Sequence, residues 1–203
     1  MKLFKKLMAT ALAGVMALSM MTGCAAKVND NEIVAYLNDS KAFEYASVKV
    51  HDEVYGHDYW DHVETGIKTA EQGDSTTARE VLKKVKTYAE NHTYDGAYGR
   101  RSIEEAAEQA LDSVHGDDYA KIAKIAADSK DAYYLAFTKV NEYKSNELKN
   151  HQDSIIAQSL TDFVQLNSIS DRTTLGDKAV ASVATEKIGE DTFVVVVLVQ
   201  AAK

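Results

Sequence analysis

Residues 192–200 read Thr-Phe-Val-Val-Val-Val-Leu-Val-Gln, and the seven apolar side chains Phe193–Val199 show no polar alternation. A strand with one wet face alternates with period two, so an uninterrupted apolar run needs cover on both faces. The turn Gly189-Glu190-Asp191 precedes it, and Ala179–Glu186 lies before the turn, so the C-terminus reads as a β-hairpin over about 179–200. A two-stranded hairpin alone is marginal in water, so this one must pack on helices or pair with another chain through an open edge.

Upstream, helical periodicity dominates. Ala78, Val81, Leu82, Val85, Tyr88 and Ala89 follow i, i+3, i+4, i+7 spacing, as do Ile103, Ala106, Ala107, Ala110, Leu111 and Val114, with Lys or Glu opposite. Ser102 and Glu105 form a capping-box pattern ahead of the second helix, and Gly116 offers its stop. Tyr133, Ala136, Phe137 and Val140 continue the pattern, as do Ile155, Ile156, Ser159, Leu160, Phe163 and Val164. Glu32–Gln72 reads as two or three helical pieces broken near Asp39-Ser40 and Gly56, burying Ile33, Leu37, Phe43, Ala46, Val50, Val54, Val63 and Ile67. Gly66, Gly73-Asp74, Ala78, Leu82 and Val85 resemble one tetratricopeptide unit, which implies a close antiparallel helix pair. Asn167–Lys178 reads as polar loop. The expected fold class is therefore mainly α, an array of antiparallel helix hairpins ending in a β-hairpin. The chain contains no proline and no low-complexity spacer, so residues 32–203 read as one domain.

The N-terminus carries a different signal. Lys2, Lys5 and Lys6 precede an uncharged apolar run from Leu7 to Met21, which closes on Thr22-Gly23-Cys24. The run is shorter than the roughly 20 residues a spanning helix needs, which favours a secretory signal over residues 1–23. Cys24 is the only cysteine of the chain, so it has no disulfide partner within it. The segment resembles the lipobox of bacterial lipoproteins, with Met21 where leucine is more usual. The resemblance implies a lipidated Cys24 as first mature residue, a short tether over 24–31 and a body anchored to membrane lipid outside the cytoplasm. Ala25, rather than Asp, after the cysteine resembles an outer-membrane sorting signal for a host with two membranes.

The 31 acids against 23 bases give a formal charge of −8, and cleavage before Cys24 would remove three lysines and no acid. A surface of that sign argues against a nucleic-acid partner. The chain has neither G-x-S-x-G nor a Gly-rich phosphate loop, and lipidation would consume the thiol, so a binding module for a protein or small-molecule ligand is expected rather than a catalyst.

Two clusters stand out as candidate sites. His51, His57, Asp58, Asp61 and His62 crowd into twelve residues, and imidazole and carboxylate groups suit a divalent transition metal. If Asp58–Gln72 is helical, Asp58 and His62 stand one turn apart, as would His57 and Asp61 on a helix extended by one residue. The plain alternative is a polar helix junction facing water. Tyr94, Tyr98, Arg100 and Arg101, with Gly96 and Gly99, could stack on a sugar or pair with a carboxylate or phosphate. The alternative there is a helix connection in which the arginines pair with Glu104 and Glu105, four residues on.

Overall fold

A computed structural model of the chain describes residues 28–96, 99–112, 129–140, 152–169 and 171–203. Among them run helix α1 (Asp30–Ser40), strands β1 (Tyr45–Asp52), β2 (His57–Glu64) and β3 (Thr69–Gln72), helix α2 (Thr76–His92), the short strands β4 (Tyr94–Gly96) and β5 (Gly99–Arg101), and helix α3 (Ile103–Asp112). Strand β6 (Ala132–Val140), helix α4 (Gln152–Ser159), strand β7 (Val164–Gln165), a 3-10 turn (Arg172–Thr174), and strands β8 (Leu175–Ile188) and β9 (Asp191–Ala202) follow. Seven strands form one mixed sheet in the order β2-β1-β7-β6-β9-β8-β3, with β1/β7 and β3/β8 parallel and the other neighbours antiparallel. The fold is mixed α/β, which corrects the mainly helical expectation.

The apolar run of β9 explains the architecture. It pairs with β6 on one side and β8 on the other, so it lies inside the sheet. Val194, Val196 and Leu198 face one core, with Ile33, Val34 and Leu37 of α1 and Ile156 of α4. Phe193, Val195 and Val197 face the other, with Val81, Leu82 and Val85 of α2 and Ala106, Ala107 and Leu111 of α3. Successive side chains of a strand point to opposite faces, so two helical layers cover one strand with no polar position left over. The expected hairpin is therefore present and covered by helices, and β8 extends back to Leu175, inside the expected loop. At its turn Gly189 has φ +63°, and Glu104 of α3 lies where a side chain would stand, its carboxylate accepting from the Glu190 N–H at 2.6 Å. The left-handed backbone favours glycine there.

Three expected helical stretches are strands. Tyr133, Ala136, Phe137 and Val140 fit a helix by spacing, but β6 is apolar on both faces: Ala132, Tyr134 and Ala136 join one core, Leu135 the other. An apolar run that satisfies both periods is decided by its neighbours, and β9 lies beside it. Ala46, Val50 and Val54 are four apart, an offset that is even and so also fits period two; with Val48 they alternate along β1 and on into the turn, and β2 returns antiparallel to β1. The pattern beginning at Ile155 survives as α4, which ends at Ser159, after which Phe163 and Val164 lead into β7. The tetratricopeptide-like glycines serve other turns: Gly66 lies between β2 and β3, and Gly73-Asp74 joins β3 to α2.

The helices expected around Ala78–Ala89 and Ile103–Leu111 are formed as α2 and α3. The capping box is formed, with Ser102 N–H donating to Glu105 Oε2 at 3.0 Å and Glu105 N–H to Ser102 Oγ at 3.2 Å. Helix α1 starts at Asn29, whose side chain accepts from the Asn31 N–H, and stops at Lys41 with φ 54°, whose N–H returns to Leu37 O. The Gly116 stop, Val114 and the rest of 113–128 lie outside the described residues.

Leu198→Ala is expected to cost about 2–5 kcal/mol in urea unfolding, because its buried side chain has helices above it and no solvent to relax into. Val180→Ala, on the neighbouring strand but half exposed, is expected to change stability by no more than about 0.5 kcal/mol.

Candidate functional site

The candidate site is a β-ribbon. β1 touches β7 at one pair, Ser47 with Val164, whereas its pairing with β2 runs from Tyr45/Glu64 to Asp52/His57. Beyond Ser47, the stretch Val48–Asp52 and its partner His57–Asp61 therefore form a two-stranded arm among the described residues. Its turn is built by Asp52, whose Oδ1 accepts from Val54 N–H (2.8 Å) and Tyr55 N–H (3.1 Å) and whose carbonyl accepts from Gly56 N–H (2.8 Å). Gly56, at φ +68°, supplies the left-handed residue that closes this turn. The local hydrogen bonds hold Val54 (82% exposed) and Tyr55 (78%) outward at the tip.

His51, His57, Asp58 and Asp61 lie on this arm and His62 lies at its base opposite Ser47, and strand alternation divides the five. His51 and Asp58 are a cross-strand pair, with His51 Nδ1 and Asp58 Oδ1 2.7 Å apart and Lys49 Nζ 3.0 Å from Asp58 Oδ2. His62 shares their face and lies 3.3 Å from Ser47 Oγ, which donates to Asp162 Oδ1 at 2.8 Å. His57 and Asp61 fall on the opposite face. Asp61 turns its carboxylate to the edge, where it accepts from the His62 N–H at 2.8 Å. The helical face that would have aligned Asp58 with His62 and His57 with Asp61 does not form. Nor do three or more His, Asp or Glu side chains converge as a ligand set among the described residues. The hydrogen bond from His51 and the adjacent Lys49 ammonium hold the Asp58 carboxyl below its usual range. Lys49 thus already places a positive charge where a metal would have to approach.

The second sequence cluster is also a hairpin. β4 and β5 pair Tyr94 with Arg101 and Asp95 with Arg100, and the Arg101 guanidinium lies 5.2 Å from the Tyr94 ring centre. This cation–π contact occupies both residues with each other. Glu105 instead caps Ser102 and Glu104 accepts from the Glu190 N–H. Tyr98 lies outside the described residues, as does Cys24.

Sequence reading missed a buried polar seam at the other end of the sheet. Tyr134 Oη donates to Gln200 Oε1 at 2.7 Å, and Gln200 Nε2 donates to Thr65 O (2.9 Å) and Gly176 O (2.7 Å). Beside it Arg172 donates to Gln165 Oε1 and toward Glu64 O, and Gln165 Nε2 donates to Asn167 O. Asn167 in turn accepts from the Tyr133 N–H and donates to Asp131 O. Burial raises the Tyr134 hydroxyl above its usual pKa, against the pull of Arg172. Gln200 joins β9 to β6, β8 and the β2–β3 connection, while Gln165 and Asn167 tie the end of β7 to the 3-10 turn and to the start of β6. Gln200 directly after the apolar run was its only sequence cue.

No known family, curated protein or solved structure matches this chain.

Tyr134→Phe is expected to destabilise by about 1–3 kcal/mol in urea unfolding, because Gln200 Oε1 is left buried without its donor. Asp58 carries an opposite test. Its folded pKa is lowered, so its contribution is present above the unfolded value of about 3.9 and disappears as pH falls through the folded pKa. Asp58→Asn is expected to flatten the acid limb of a melting-temperature series below about pH 4 and to leave its shape near neutrality unchanged.

Proposed function

We propose that the chain is a membrane-anchored lipoprotein on the extracytoplasmic face of a bacterial membrane, whose α/β body is a binding module for a protein or small-molecule ligand. The observation that carries the reading is Leu7–Met21 ending on Gly23-Cys24, an export-length apolar run placed against the only thiol of the chain. Diacyl modification of the thiol plus an acylated amine would supply more than one hydrocarbon anchor, and one chain alone is marginal. Five residues separate Cys24 from α1, so the tether reaches about 20 Å at most and holds the body near the lipid. Asn29 N–H donates to Asp153 Oδ1 at 3.1 Å, which ties the tether's end to α4. Among the described residues no helix is long and apolar enough to cross a membrane.

The β1–β2 arm supports binding as the role of the body, since it exposes Val54, Tyr55 and Tyr59 on a ladder-paired ribbon closed by the Asp52 turn. A divalent-metal role for His51, His57, Asp58, Asp61 and His62 gains nothing from their division between two faces.

Mass spectrometry of the chain purified from bacterial membranes is expected to show residues 1–23 removed and a diacylglyceryl adduct on Cys24. Cys24→Ala is expected to retain residues 1–23 and lose the acyl mass. An unmodified Cys24 in the wild-type chain would overturn the anchoring.

A further inference from the structure

The described residues begin with two that are pinned to the body. Val28 packs against the first core, and one residue on, Asn29 N–H donates to Asp153 Oδ1 of α4 at 3.1 Å. The Asn29 side chain turns toward α1: its Oδ1 accepts from the Asn31 N–H at 3.2 Å, and its Nδ2 donates to Glu32 Oε1 at 3.4 Å. Burial raises the Asp30 carboxyl above its usual range; Arg79 of α2 opposes the rise and Asp153 adds to it. The first turns of α1, α4 and α2 therefore meet where the chain enters the fold.

Only Ala25, Ala26 and Lys27 separate Cys24 from Val28. Four Cα-to-Cα steps span at most about 14 Å, so a lipidated Cys24 would hold Val28 within that distance of the lipid surface. A domain of this length has a radius of about 20 Å. On such a body, a point kept within about 14 Å of a plane never leaves the half that faces the plane. Helix α3 lies on the other side: α1 and α4 cover the first core together with Val28, α3 covers the second, and the sheet stands between them. Asp30, Glu32 and Asp153 outnumber Arg79 where the chain enters, so anionic lipid would not draw this end in; the tether does.

We propose that the end of the body where α1 and α4 begin is its lipid-facing surface, resting on the headgroups around Cys24, and that the pinned tether prevents the body from turning this end away. The inference rests on the anchoring proposed above and adds an orientation to it. Freed as far as Asp30, the same tether would reach about 20 Å, one body radius, and its attachment point could rise to the equator of the body. The Val28 and Asn29 contacts are therefore what turn attachment into orientation. The outer side of α3 then faces the aqueous compartment.

The test uses the chain purified from bacterial membranes, in which acylation occupies Cys24 and an introduced cysteine is the only thiol, reconstituted into phosphatidylcholine vesicles with a spin label on a fraction of the headgroups. Asn31→Cys, in the first turn of α1, and Gln109→Cys, on α3, are both at exposed positions and each carries a bimane fluorophore. Quenching by the spin label is expected to be several-fold stronger at position 31 than at position 109. A spacer of about twelve Gly and Ser residues inserted between Lys27 and Val28 adds about 40 Å of reach, and is expected to bring the two positions to similar quenching while the chain still floats with the vesicles. Equal quenching at the two positions without the spacer, stronger quenching at 109, or a difference that the spacer leaves unchanged overturns the orientation alone. A chain that does not float with the vesicles overturns the anchoring, and the orientation falls with it.

Discussion

The structure depends on the burial of a single strand from both sides. β9 places Val194, Val196 and Leu198 on one face and Phe193, Val195 and Val197 on the other, and none of the six has a solvent-facing alternative. Such a strand excludes a one-layer sheet on helices, because half of its side chains would then lie in water at a cost of roughly 25 cal/mol for each Å² left exposed. It also excludes an edge position, which would leave an apolar strand open to pairing with any other. The remaining solution is an interior strand between two helical layers. The other elements are arranged around that solution: β6 and β8 as flanks, α1 and α4 on one side, α2 and α3 on the other.

Polar groups that cannot avoid this interior are linked together. Gln200 follows the apolar run directly, is 1% exposed, and satisfies three groups contributed by β6, the β2–β3 connection and β8. A buried amide with all its partners present is specific about geometry, because any other register strands a donor or acceptor. The strand thus has its register fixed at the polar end and its depth fixed by the apolar run.

The β1–β2 arm obeys the opposite rule. It carries charge and aromatic surface in place of a core, and its strands are held by the Lys49–Asp58 and His51–Asp58 contacts together with the Asp52 turn. Exposed ion pairs contribute little to stability, so the arm has little cohesion beyond its backbone ladder. On a chain of net charge −8, it adds exposed surface to the molecule rather than support to the fold.

Much was legible in the residues themselves. The amphipathic helices α2 and α3, the Ser102/Glu105 cap, the C-terminal hairpin and the need to cover both faces of Phe193–Val199 follow from side-chain spacing, which is local chemistry. The fold class was not, because Ala46, Val50 and Val54, and likewise Tyr133, Ala136, Phe137 and Val140, satisfy helical and extended spacing alike. Which period wins depends on a partner strand distant in sequence, and β6 becomes a strand because β9 offers it a ladder. The His/Asp cluster shows the same limit: its composition was plain, but whether the five side chains share a face is decided by whether their turn repeats every 3.6 residues or every two. The sequence by itself determined which groups are present, where helices begin and which strand must be buried. The tertiary structure alone decided which apolar stretches pair, and so which polar side chains stand together.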